Sequence, residues 1–128
     1  EHTPAEKATI LVVEDEQDIR DVLSEFLKLQ GFTVIEAKDG ESAYGEFQEN
    51  KGRIDLIVLD LGIPGMDGEE FIGKIKQLQA TPKIIVASGY TNHKMASDPQ
   101  EFGVSSFLCK PFNLQDALQT IRAVLSEE

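Results

Sequence analysis

The stretch Leu56-Ile57-Val58-Leu59-Asp60 decides the fold, because an unbroken apolar run ends there in a carboxylate. Such a run is the pattern of a strand buried on both faces of a parallel sheet. A second run, Ile10-Leu11-Val12-Val13, ends in the same way at Glu14-Asp15. Parallel strands finish on one edge, and open α/β sheets bind ligands in the crevice beyond that edge. The carboxylates of Glu14, Asp15 and Asp60 are therefore expected to meet. Two like charges about 4 Å apart repel by roughly 4 kcal/mol at an effective dielectric near 20, so the cluster asks for a cation. Hard oxygen donors in this number favour Mg²⁺, with Mn²⁺ as a substitute and Ca²⁺ less suited to so open a site.

Outward from these two runs, Thr9 to Val13 reads as a first strand, followed by Ile19, Val22, Leu23, Phe26 and Leu27 at helical spacing and by Gly31 as the helix stop. Thr33 to Ala37 is a second strand and Asp39-Gly40 a turn. Glu41 to Asn50 forms a helix with Ala43, Tyr44 and Phe47 facing inward. Asp55 to Asp60 is the third strand. The loop Leu61 to Gly68 carries glycines and a proline suited to a special backbone path, and Phe71, Ile72, Ile75 and Leu78 mark the next helix. Lys83 to Ala87 is a fourth strand ending at Ser88-Gly89, and Ser106 to Cys109 a fifth ending at Lys110-Pro111. A last helix presents Leu114, Ala117, Leu118, Ile121, Val124 and Leu125 on one face. Between Tyr90 and Gly103 a further helix is poorly written, since Asp98-Pro99 interrupts it. Strands alternating with helices imply an α/β fold with a doubly wound, five-stranded parallel sheet and five helices. The right-handed crossover rule gives the flavodoxin-like order 2-1-3-4-5, in which strands one and three are neighbours at the switch point.

The chain has 128 residues, 41% of them hydrophobic, which fits one domain over residues 8–126 preceded by a tail, residues 1–7. No apolar stretch approaches the roughly 20 residues of a membrane span, and the first residues lack a signal-peptide core, so a cytoplasmic domain without membrane contact is expected. A net charge of −11 opposes binding to nucleic acid or anionic lipid. The single cysteine, Cys109, beside Phe107-Leu108, reads as a small core residue rather than a nucleophile.

Glu14-Asp15, Asp60 followed by Pro64-Gly65-Met66-Asp67-Gly68, Ser88-Gly89 and Lys110-Pro111-Phe112, in this order at strand ends, resemble the receiver domain of two-component response regulators. The likeness covers residues 8–126. The phrases Asp60 to Met66 and Val86 to Tyr90 are similar to receivers joined to hybrid sensor histidine kinases, and the absence of a linker or output domain after the last helix agrees with a C-terminal receiver of such a kinase.

The resemblance implies that Asp60 is the phosphoacceptor, attacking a phosphohistidine in line, and that the isolated domain catalyses only its own phosphorylation and dephosphorylation. Positioning and charge neutralisation carry such chemistry. Mg²⁺ is implied on Asp15, Asp60 and the Gly62 carbonyl, with Glu14 acting through a metal-bound water. The rival role for Glu14-Asp15 is a helix N-cap with dipole-favoured acids, which suits Asp15 or Glu16 but does not explain the match with Asp60. Lys110 is implied to bridge Asp60 and later a phosphoryl oxygen, aimed inward by a cis bond to Pro111; otherwise it is a solvated surface lysine. Ser88 is implied to donate its hydroxyl to the phosphoryl group as part of the switch, and Phe107 to be the aromatic that turns inward, against an ordinary core role. Gly62 offers no side chain to orient hydrolytic water, whereas Tyr90 is bulky enough to shield the phosphate.

A haloacid-dehalogenase-type phosphatase needs a second Asp at position 62, which is glycine. A flavodoxin-type FMN module would find its phosphate facing Glu14-Asp15-Glu16. A pseudo-receiver, acting as a protein scaffold without phosphorylation, is the alternative from another functional class. Neither His2 nor His93 resembles a helix-borne phosphodonor, so the implied partner is a histidine kinase or histidine phosphotransfer protein. The domain itself is expected to be a monomer or weak dimer.

Overall fold

A computed structural model of the chain describes residues 8–50, 52–61, 68–78, 82–89 and 103–126. The elements run β1 (Thr9–Val13), α1 (Gln17–Leu29), β2 (Thr33–Ala37), α2 (Gly40–Glu49), β3 (Leu56–Asp60), α3 (Gly68–Gln77), β4 (Lys83–Ser88), β5 (Ser106–Cys109) and α4 (Leu114–Ser126). All strand pairs are parallel and the sheet order is β2-β1-β3-β4-β5. This is the doubly wound order expected from the strand pattern. Among the described residues there are four helices. The expected helix between Tyr90 and Gly103, the tail 1–7 and the loop 62–67 lie outside the described residues.

Strand alternation divides the core in two. Leu11, Val13, Ile57, Leu59, Ile84 and Val86 pack with Ala43 and Phe47 of α2 and with Phe71, Ile72 and Ile75 of α3. Ile10, Val12, Leu56, Val58, Ile85 and Ala87 pack on the other face with Leu23 and Leu27 of α1 and with Ala117, Leu118, Ile121 and Val124 of α4. The central strands thus bury both faces, which is why their sequences are continuously apolar.

Helix boundaries follow local chemistry. Gly31, at φ 103°, ends α1 in the left-handed region that glycine adopts without a Cβ clash. Asp39, expected in a turn with Gly40, instead caps α2: its carboxylate accepts from the Ser42 N–H at 2.7 Å, and that bond holds its carboxyl below the usual range. Asn113 caps α4 in the same way, accepting from the Asp116 N–H at 2.7 Å.

Two burial expectations are corrected. Val22 is 55% exposed, because α1 turns Leu23 and Leu27 to the core with Phe26 packed partly against them, which leaves Val22 on the outer flank of the stripe. Cys109 is exposed rather than core, since β5 is the edge strand, Leu108 alone of its residues is fully buried, and Cys109 is its last residue. Among the described residues, no helix is long and apolar enough to cross a membrane.

Phe47 has almost no exposed surface, so Phe47→Ala is expected to destabilise the fold by about 3–5 kcal/mol in urea denaturation. Leu29→Ala, at a position 83% exposed, should stay within about 0.5 kcal/mol of the parent.

Candidate functional site

The register places the acids. Val13 pairs with Leu59 and Asp60 with Ala87, so the residues after β1, at the end of β3 and after β4 emerge together at the C-terminal edge. The β1–β2 ladder continues one residue further, because the Glu14 N–H donates to the Ala37 carbonyl at 3.0 Å. Glu14 is thereby held at the sheet edge with its side chain buried, and Asp60 is buried beside it. Asp15 is exposed. Carboxylate oxygens of Glu14, Asp15 and Asp60 all lie within 4.8 Å of one another.

Lys110 enters from the opposite side. Its N–H donates to the Ser88 carbonyl at 2.9 Å, which ties the end of β5 to the end of β4. The Lys110-Pro111 bond is cis. The Lys110 ammonium lies 2.8 Å from Glu14 Oε1 and 3.3 Å from Asp60 Oδ2. It is therefore an internal ion-pair partner and not a solvated surface lysine. Sequence reasoning aimed Lys110 at Asp60; the shorter contact is to Glu14, a distinction of side-chain reach that strand patterning does not encode. Three carboxylates against this one ammonium leave two negative charges, the complement of one divalent ion. All three donors are hard oxygens, so the set fits Mg²⁺ or Mn²⁺.

The helix-cap alternative for the acidic pair does not hold. Glu16 occupies the N-cap position of α1, and its side chain makes no capping bond. Instead the Glu14 carboxylate accepts from the Glu16 N–H at 3.2 Å.

Ser88 and Phe107 stand at register neighbours of the edge: Ser88 pairs with Cys109, and Val86 with Phe107. Phe107 is half-buried against the cluster under α2 and α3. The Gly62 carbonyl, expected as a metal ligand, and Tyr90, expected as a shield, lie outside the described residues.

Arg20, which neither the strand nor the helix pattern singles out, is a further neighbour of the site. Its Nη1 donates to the Glu14 carbonyl at 2.7 Å and its Nε lies 3.6 Å from Glu36 Oε1 on β2. A signal existed, since a cation in the first turns of a helix opposes the macrodipole and asks for a specific partner.

Beside the acids, a cavity of about 1010 Å³ opens between α1 and the segment from Lys110 to Gln115. Its apolar wall is built by Ile19, Val22, Leu23 and Phe26 together with Pro111 and Phe112. Lys110 therefore lines both the acidic site and this groove.

Comparison with known proteins places these features in a family. The model of the response regulator receiver domain matches residues 10–122. A cyclic di-GMP phosphodiesterase of Thermotoga maritima is 37% identical over 107 residues, covering 84% of this chain and 28% of its own length. The sensor kinase CckA of Brucella abortus is 32% identical over 121 residues, covering 94% of this chain and 13% of its own. The chain thus spans less than a third of the length of these curated relatives. Among solved structures, the response regulator protein TrrA of Thermotoga maritima in complex with Mg(2+)-BeF aligns with a TM-score of 0.78 at 32% identity, over 91% of this chain and 98% of that one.

The pairing has a pH signature in metal-free protein. Burial raises the Glu14 carboxyl above its usual 4.5, outweighing the Lys110 hydrogen bond and the Glu16 N–H. Burial opposes the Lys110 charge, yet the hydrogen bond to Glu14 and the Asp60 and Glu14 charges prevail, so the amine is raised above 10.5. With both folded values raised, each group contributes stability that is complete below its unfolded value and lost as pH rises through the folded one. Melting in chelator is therefore expected to weaken first as pH rises from 4.5 through the Glu14 value, and again beyond 10.5. Lys110→Met should remove the alkaline component, as followed by circular dichroism.

Proposed function

Because this chain belongs to the response regulator receiver domain family, we propose that it is a working phosphoacceptor of a two-component phosphorelay, with Asp60 as the residue phosphorylated. One observation supports this above the rest: Lys110 spans Glu14 and Asp60 while the Asp15 carboxylate completes a hard-oxygen cluster around them. A scaffold that accepts no phosphate has no use for a buried, net-negative site at the sheet edge.

The Asp60 carboxylate oxygen attacks the phosphorus of a phosphohistidine, the new O–P bond forming as the N–P bond breaks in line, and the imidazole leaves with the bonding pair and is protonated from solvent. Mg²⁺ held by Asp15 and Asp60, with Glu14 acting through a bound water, would neutralise charge on the transferring oxygens. The Lys110 amine, released from Asp60, binds a phosphoryl oxygen, and the Ser88 hydroxyl donates to another. Phe107 follows Ser88 inward, which makes the pair the switch. The domain, over residues 8–126, catalyses only its own phosphorylation and dephosphorylation. It serves in the cytoplasm as the receiver of a hybrid histidine kinase, a reading favoured by the likeness to a sensor kinase.

The phosphodonor docks a helix into the groove beside α1. Ile19, Val22, Phe26 and Leu29 recur at intervals of three, four and three, the a/d pattern of a helix that packs against another helix. Continuity with Lys110 brings such a helix within reach of Asp60.

Intact mass after incubation with a small acyl phosphate is expected to rise by one phosphoryl group only with Mg²⁺, and not in Asp60→Asn. No gain in a folded native chain would favour the scaffold alternative. Val22→Asp should load normally from the acyl phosphate but about tenfold more slowly from a phosphorylated histidine phosphotransfer domain that loads the native chain.

A further inference from the structure

We infer that Arg20 is the positioning residue of the metal site, fixing the peptide that carries Asp15. The inference rests on the Mg²⁺ reading above but assigns a function to a residue that touches neither metal nor phosphate. Glu14 is the residue from which Asp15 extends, and its backbone is gripped from both sides. The N–H donates to the Ala37 carbonyl of β2 at 3.0 Å. The carbonyl accepts from Arg20 Nη1 at 2.7 Å. The first bond fixes the Val13-Glu14 peptide and the second the Glu14-Asp15 peptide, so the chain is held on both sides of the Glu14 Cα and Arg20 is what restrains the peptide leading into Asp15.

Asp15 needs such a support more than its neighbours do. Glu14 and Asp60 are buried and tied to Lys110, whereas Asp15 is exposed and lies beyond the last strand bond. Its carboxylate is held among like charges, so a free peptide would relax by swinging it into solvent. Arg20 prevents this from α1, because helical side chains lean toward the helix N-terminus and Arg20 reaches back over the turn to Glu14.

The effect is positional rather than electrostatic. Glu36 of β2 faces the same guanidinium, with Nε to Oε1 at 3.6 Å, and offsets its charge. The planar fork lets one nitrogen address the carbonyl while another faces the carboxylate, which the single ammonium of lysine does not reproduce. Residues in this supporting position around a metal typically change affinity by about 10–100-fold when removed.

The two origins predict opposite signs. Mg²⁺ is titrated calorimetrically into the full chain and into Arg20→Met, Arg20→Lys and Glu36→Gln, with chelator melts recorded in parallel. Positioning predicts that Mg²⁺ binds about tenfold more weakly to both Arg20 variants, with a smaller loss in Glu36→Gln. A charge effect would overturn the inference by making Arg20→Met bind Mg²⁺ more tightly than the native chain while Arg20→Lys matches it. Lower melting temperatures with unchanged Mg²⁺ affinity would also overturn it, leaving Arg20 purely structural. Should Arg20→Met fail to fold, Arg20→Lys, which keeps stem and charge, carries the test. Failure of the native chain to bind Mg²⁺ would instead remove the metal reading itself, and is seen before any variant is compared.

Discussion

Like-charge crowding at the edge between β1 and β3 is the constraint around which the molecule is organised. Glu14 and Asp60 are buried, Asp15 stands beside them, and no sheet edge would hold these carboxylates together without compensation. Lys110 supplies part of it from the end of β5, two strands away from β3. The remaining charge is the complement of a divalent cation, and on the proposed function that cation in turn offsets the negative oxygens of an incoming phosphoryl group. On the proposed function, stability and function pull against each other here: an acidic cluster that costs stability in metal-free protein is what a bound cation would use.

Topology turns this local chemistry into a site. The sheet winds from β1 outward to β2, then reverses across β1 to β3, so the strands bearing the acids become neighbours although a helix, a strand and a second helix separate them in sequence. The two packed faces hold the strand ends in fixed register. Movement of Glu14 relative to Asp60 would require β1 to slip against β3, breaking alternation on both faces at once.

Much of this was legible in the sequence for a physical reason. Unbroken apolar runs such as Leu56 to Leu59 are written only by strands covered on both sides, and an acid at the end of such a run has nowhere to go but the edge. The helices were legible as faces rather than as surfaces. Periodicity placed Val22 with Leu23 and Phe26 but did not tell which flank of the stripe meets the sheet, and Val22 lies on the outer one. Cys109 was misplaced because apolar neighbours at Phe107 and Leu108 suggest a core, whereas burial in an edge strand also depends on what covers it. Arg20 escaped notice because its partners are a backbone carbonyl and a residue of another strand, contacts that exist only after folding. Asp39-Gly40 carries the chemistry of a turn and of a helix cap alike, and only the fold, by placing the Ser42 N–H against the Asp39 carboxylate, selects the cap.

If the carboxylate cluster is strained alone and relieved by a divalent cation, the strain and its relief are both readable in thermal stability. The most direct test is the melting temperature of the native chain and of Asp15→Asn, each in chelator and in excess Mg²⁺. Mg²⁺ is expected to raise the native midpoint by about 2–8 °C. Asp15→Asn is expected to melt higher than the native chain in chelator and not to respond to Mg²⁺. A native midpoint indifferent to Mg²⁺, or an equal response in Asp15→Asn, would contradict relief of the cluster by the cation.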